Sequence, residues 1–157
     1  MTKLTTCLWF DGQAEQAARF YAAVFPNSKV GRIVKFPEGT PGTPGTVMTV
    51  EFELDGAPFM GLNGGPEFKF SEAVSFVIDC ADQAEVDRYW TALLADGGEE
   101  SVCGWLKDRF GVSWQVTPRI LPQLMADPDR DKANRVTAAM MEMRKIDVAK
   151  LEAAAAG

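Results

Sequence analysis

Apolar and polar positions along the chain follow two patterns that recur in the same order. An apolar run from Leu4 to Phe10 meets Asp11-Gly12, after which Ala14, Ala17, Ala18, Tyr21, Ala22 and Phe25 repeat at helical spacing as far as Pro26-Asn27. This change of period predicts a strand followed by a helix. A second apolar run, Val74 to Cys80, meets Asp82, and Ala84, Val86, Tyr89, Trp90, Leu93 and Leu94 then keep helical spacing up to Asp96-Gly97-Gly98. Laying Gln13-Ala14-Glu15 on Gln83-Ala84-Glu85 matches strand to strand and sets Phe20 opposite Trp90.

Strands and turns follow each helix. In the first half, Val30 to Phe36 reads as a strand, Pro37 to Gly45 as a loop able to act as a lid or an idle linker, and Val47 to Leu54 as a half-exposed strand. Asp55-Gly56 then makes a tight hairpin into Pro58 to Leu62. In the second half, Glu99 to Cys103 and Gly104 to Arg109 read as strands, and Phe110-Gly111 turns into Val112 to Thr117. Gly56-Ala57-Pro58-Phe59-Met60 lies over Gly111-Val112-Ser113-Trp114-Gln115. The fold class is therefore α+β, with duplicated β-α-β-β-β modules forming a curved mixed sheet, a half-barrel whose hollow is the natural small-molecule site. Module one covers about residues 3–65 and module two about 71–118, making one domain over 1–118.

The remaining residues, 119–157, form a helical extension. A short helix is expected over Pro122 to Ala126, and Asp127-Pro128 carries the start signal of a longer one. Its stripe of Val136, Ala139, Met140, Met143 and Ile146 needs a cover, and packing across a homodimer is favoured over packing within one chain. Asp147 is expected to cap a last helix through Ala156.

Composition narrows the chemistry. A formal charge of -6, with basic residues scattered, excludes a nucleic-acid partner. No apolar run reaches the ~20 residues needed to cross a bilayer, and the N-terminal segment reads as a first strand with no signal-peptide features, so a cytoplasmic location is expected. The 3 cysteines, Cys7, Cys80 and Cys103, form no C-x-x-C pair and are expected to be small buried hydrophobes. Histidine is absent, which removes the commonest metal ligand and the usual acid–base group near neutral pH.

The duplicated unit, Asp11-Gly12-Gln13-Ala14-Glu15 with Phe20-Tyr21, Leu62-Asn63-Gly64-Gly65-Pro66, and Cys103-Gly104-Trp105 followed by Gly111 to Gln115 together resemble the vicinal oxygen chelate (glyoxalase/bleomycin resistance/dioxygenase) superfamily. The resemblance is to its PhnB-like branch, labelled demethylubiquinone methyltransferase-like. It implies a homodimer and a small-molecule ligand. It also implies four metal ligands on the first and last strands of the modules, at positions that fall near Thr6, Met60, Ser75 and Gln115; a one-residue slip would substitute Thr5 or Phe76. Only Gln115 is a comfortable donor, so no cofactor and no catalytic metal are expected. Methyltransferase activity is not expected, because Gly61, Gly64 and Gly65 follow a strand and do not open a helix of a parallel α/β sheet.

The candidate pocket is Thr6, Met60, Asn63, Ser75, Trp105, Trp114 and Gln115. Glu51 and Glu53 read as a solvated strand face, and Cys103 lacks any base that could activate it. Three functions stay open: metal-independent binding of a small molecule with no assigned reaction, a lyase or dioxygenase recruiting a weak metal through Gln115 and the acidic strand, and a ligand-sequestering resistance protein.

Overall fold

The computed structural model describes residues 2–157, which form two compact units, one running through Phe70 and the other from Ser71 to the C-terminus. The first unit contains β1 (Thr6–Phe10), α1 (Ala14–Val24), β2 (Lys29–Lys35), β3 (Val47–Leu54) and β4 (Ala57–Asn63). Its sheet has the order β1-β4-β3-β2, with β1 parallel to β4 and the other pairs antiparallel. The second unit repeats that layout in β5 (Ser75–Cys80), α2 (Gln83–Leu94), β6 (Glu99–Glu100), β7 (Trp105–Lys107) and β8 (Ser113–Pro118), ordered β5-β8-β7-β6. Thr6 pairs with Phe59 as Phe76 pairs with Trp114, so the register of the repeat holds to the residue.

Each sheet buries one face under its own helix. A Cβ on Gly61 would lie 3.0 Å from Ala14 Cβ, which places Gly61 and its partners Leu8 and Val50 beneath α1. Tyr21 stacks on Phe52, and Phe52 on Phe59, with all three buried. In the second unit Val86, Trp90 and Leu93 of α2 are buried, as are Trp114 and Val116 of β8. By alternation, Met60 and Gln115 lie on the opposite, open faces.

The two helices start differently. Asp82 caps α2 by accepting the Glu85 N–H at 3.0 Å, while the Glu85 carboxylate accepts the Ala81 N–H at 2.7 Å, a reciprocal cap that is local in sequence. Gln13 supplies no side-chain cap to α1; Asn63, at the end of β4, accepts the Ala14 N–H at 2.9 Å instead.

Several boundaries move from their expected places. Leu4 and Val74 are 85% and 65% exposed and precede their strands, which begin at Thr6 and Ser75. The strand expected over Glu99 to Cys103 shrinks to Glu99–Glu100, because Cys103 and Gly104 take φ of 59° and 83° and turn the chain. Asp55-Gly56 makes the expected tight hairpin, both residues having positive φ.

The extension adds α3 (Ile120–Met125), α4 (Arg130–Met141) and α5 (Val148–Ala156) to the second unit. The cap of α4 is Asp129, which accepts the Lys132 N–H at 3.2 Å, and not Asp127, which bonds the Asp129 N–H and pairs with Lys132. Asp147 caps α5 as expected. The apolar stripe is covered within the chain and not across a homodimer: Leu121, Val136, Met143, Ile146 and Leu151 form one buried cluster. Cys103 and Gly104 donate their N–H groups to the Met143 and Arg144 carbonyls, and Gln83 donates to the Ile146 carbonyl and accepts from the Val148 N–H. These bonds satisfy backbone groups that the turn at Cys103 and the start of α5 would otherwise leave orphaned.

Candidate functional site

Strand alternation sorts the seven candidate residues onto different faces. Thr6 shares the row of Phe59, which lies beneath α1, whereas Thr5 lines an open-face hollow with Met60, as the one-residue slip would have it. Trp114 is 3% exposed on the α2 side, its indole N–H donated to Asp108. Ser75, Trp105 and Gln115 do come together on the open face of the second sheet. The Gln115 amide donates to Ser75 Oγ at 3.0 Å, and Trp105 is the direct cross-strand partner of Gln115. All three side chains are half-buried.

The repeat places an equivalent hollow on the open face of each sheet. In the first unit a hollow of about 420 Å³ is lined by Thr5, Lys29, Glu51, Glu53, Pro58 and Met60. In the second a smaller one, about 150 Å³, is lined by Glu72, Glu99, Ser101, Trp105, Lys107 and Ser113. Lys29 pairs with Glu53 across β2 and β3, and Glu99 faces Lys107 across β6 and β7, so the charges are reversed between the copies. Glu51, besides, is bound by Arg32 at 2.5 Å, and the two glutamates form a solvated, ion-paired face as expected. Lys107 is ion-paired with Glu72, whose carboxyl it holds below its ordinary value. Ser113 Oγ, buried in the wall of the second hollow, has no hydrogen-bond partner among the described residues.

Asn63 acts at the junction of three elements. Besides capping α1, its amide donates to the Val47 carbonyl at 3.0 Å, tying the end of β4 to the start of β3. The following glycines are explained by Trp9: a Cβ on Gly64 would fall 2.3 Å from the indole, and the Gly65 carbonyl accepts the indole N–H at 2.9 Å. Asn-Gly-Gly is therefore the seat of Trp9 and the rim of a third hollow, about 910 Å³, that also includes the loop from Pro41 to Thr46.

Asp108 is the residue that periodicity did not single out. It is 3% exposed, and its carboxylate accepts the N–H groups of Phe110, Val112 and Trp114. The signal available was an Asp two to four residues before a turn glycine, the spacing at which Asp carboxylates bind backbone N–H groups. Of the cysteines, Cys80 is buried as expected, and burial pushes its thiol up to about 12. Cys7 is exposed on the open face and Cys103 half-buried, so the expectation of three buried cysteines fails at those two.

The positions that correspond to metal ligands do not fit a divalent transition ion. The first unit offers a Thr hydroxyl and the Met60 thioether; the second offers Ser75 and Gln115, which are bonded to each other. Among the described residues no three His, Cys, Asp or Glu side chains are grouped so as to hold a metal ion. Hydroxyls, a thioether and one amide do not make a donor set for a divalent transition ion. Among the same residues no helix is long and apolar enough to cross a membrane.

Comparison with known proteins then places the chain. The sequence profile of the family described as 3-demethylubiquinone-9 3-methyltransferase matches residues 2–117. A solved structure from Bacillus cereus, described as a 3-demethylubiquinone-9 3-methyltransferase, PhnB protein, is 35% identical; it covers 74% of this chain and 99% of its own, with a TM-score of 0.68. A Pseudomonas aeruginosa protein shares the fold at 19% identity and TM-score 0.59, covering 73% of this chain and 95% of its own. The fosfomycin resistance protein FosX of Listeria monocytogenes, solved with Mn(II) and 1S,2S-dihydroxypropylphosphonic acid, shares it at 15% identity and TM-score 0.51, covering 73% and 90%. A comparison with curated proteins finds no match. With its duplicated β-α-β-β-β units and a profile match over residues 2–117, the chain belongs to the family described as 3-demethylubiquinone-9 3-methyltransferase, as its similarity to the PhnB protein also implies.

Proposed function

We propose that the chain binds a small organic molecule on the open face of its second sheet, without a catalytic metal. The observation that supports this most directly is the Gln115–Ser75 hydrogen bond beside Trp105, three half-buried side chains on one face. The amide keeps its carbonyl as an acceptor and one N–H as a donor, and the Ser75 hydroxyl keeps its own proton to donate. A ligand carbonyl or hydroxyl is therefore met from both sides, while the Trp105 indole supplies an aromatic wall.

No reaction is assigned. Cys103 has no histidine in the sequence to activate it. A methyltransferase is not proposed: each sheet has one parallel strand pair among the described residues, and Gly64 and Gly65 cradle Trp9 and do not form a glycine-rich turn from a parallel strand into a helix. We take the protein to be homodimeric, as the resemblance implies, and cytoplasmic, as the N-terminal segment's reading as a strand suggests. Because the extension buries its stripe within its own chain, a dimer would have to use other surfaces; sedimentation at micromolar concentration tests it, a monomer refuting it.

The binding proposal is tested by screening small carbonyl and hydroxyl compounds for thermal stabilisation of the full chain and repeating the hits on Gln115→Ala and Trp105→Ala. Loss of about ten-fold in affinity in each variant, the size of one hydrogen bond or aromatic contact, is expected. Hits that bind both variants unchanged, or only after metal is added, refute it.

A further inference from the structure

A hollow of about 910 Å³ is lined by residues of the first unit alone. Its lining contains two carboxylates, Asp11 and Glu15, and no lysine or arginine. Arg19 reaches Glu15 from outside the lining, at 3.1 Å, and neutralises part of that charge; Asp11 is exposed at the turn before α1. The same lining includes Trp9, Phe36 and Met48, so negative charge, aromatic rings and a thioether share one concave surface.

The two rings are held in place by glycine backbone. Any side chain at Gly64 would collide with the Trp9 indole, and any at Gly42 with the Phe36 ring at 2.4 Å. The indole is further fixed by its bond to the Gly65 carbonyl, and Asn63 ties together the start of α1, the start of β3 and the end of β4 around the same hollow. A wall set before binding costs little to order on binding. Concave aromatic surface with nearby carboxylates is the chemistry that selects organic ammonium groups, since the ring faces and the carboxylates both favour positive charge.

We propose that this hollow binds a small organic cation, an alkyl or quaternary ammonium, with Trp9 and Phe36 as its aromatic contacts and Asp11 and Glu15 as counter-charges. Asn63 is then a positioning residue that keeps the walls together.

The test is an NMR titration of the full chain with choline and, separately, with 3,3-dimethyl-1-butanol, its uncharged isostere, following the Trp9 indole N–H assigned through Trp9→Phe. Choline is expected to shift that resonance saturably and to bind at least about ten-fold tighter than the alcohol. The double variant Asp11→Asn, Glu15→Gln, whose remaining spectrum reports its folding, is expected to lose about ten-fold for choline and nothing for the alcohol. Equal binding of the two probes, no saturable shift with choline, or shifts that bypass Trp9 would each overturn the proposal. Because these residues all belong to the first unit, such a failure leaves the Trp105–Gln115 proposal standing.

Discussion

Trp114 donates its indole N–H to the Asp108 carboxylate at 2.8 Å, and both side chains are buried. That carboxylate also receives the Phe110 and Val112 N–H groups, so one side chain closes the β7–β8 turn and anchors the aromatic residue that packs beneath α2. Asp108→Ala is expected to remove the acceptor of these three bonds and to cost at least about 3 kcal/mol in urea unfolding. Asp108→Asn, which keeps one acceptor oxygen, should cost less. Equal stability of Asp108→Ala and the parent chain would show the bonds to be incidental.

The turn at Gly104 carries the extension. Its φ is 83°, and a Cβ there would meet Ile146 Cγ1 at 2.9 Å and the Val116 carbonyl at 3.0 Å. Gly104→Ala is expected to cost about 1–3 kcal/mol through backbone strain and overpacking. Limited proteolysis should then cut between the turn and α5 faster than in the parent chain.

Ile146 and Val136 are fully buried in the cluster that joins α3, α4 and α5. Ile146→Ala is expected to cost about 2–5 kcal/mol, the range for emptying a packed aliphatic site. Were the extension held mainly by a partner chain, the loss would depend on protein concentration; it is expected not to.

Titration gives a stability plateau with two edges. The bond from Lys145, and then that from Gln83, hold the Asp87 carboxyl below its ordinary 3.8, and the Lys132 bond does the same for Asp127. A lowered carboxylate favours the folded state above its ordinary value, and that contribution disappears as pH falls through the lowered one. Burial raises the Cys80 thiol from 9.0 to about 12, and a raised thiol favours folding below 9.0 and loses that contribution as pH climbs towards 12. The sequence holds no histidine, the side chain whose ordinary value lies between these edges. Urea midpoints should therefore be flat from about pH 5 to about pH 9, fall at both ends, and lose part of the alkaline fall in Cys80→Ala. A step between about pH 6 and pH 7 would contradict this.

Much of the fold was legible because the repeat made each half predict the other. Strand–helix–strand order, the Asp55-Gly56 hairpin, the Asp82 cap and the Asp147 cap all follow from local pattern and local side-chain chemistry. What escaped depends on contacts distant in sequence. The cap of α1 comes from Asn63, and the short β6 reflects a turn that bonds residues of the extension. Alternation could place Gln115 and Met60 on the open face, but a one-residue ambiguity in β1 hid that Thr5 and not Thr6 shares the hollow with Met60. Trp114 and Gln115 are adjacent in β8 and face opposite ways, so the two cannot both line the open face.

Calorimetric titration of the dialysed full chain with Mn(II), Ni(II), Zn(II) and Fe(II) tests most directly the proposal that this chain works without a catalytic metal. Weak, non-saturating heats are expected, identical in the parent chain and in Gln115→Ala. One tightly bound equivalent that disappears in Gln115→Ala would contradict the proposal.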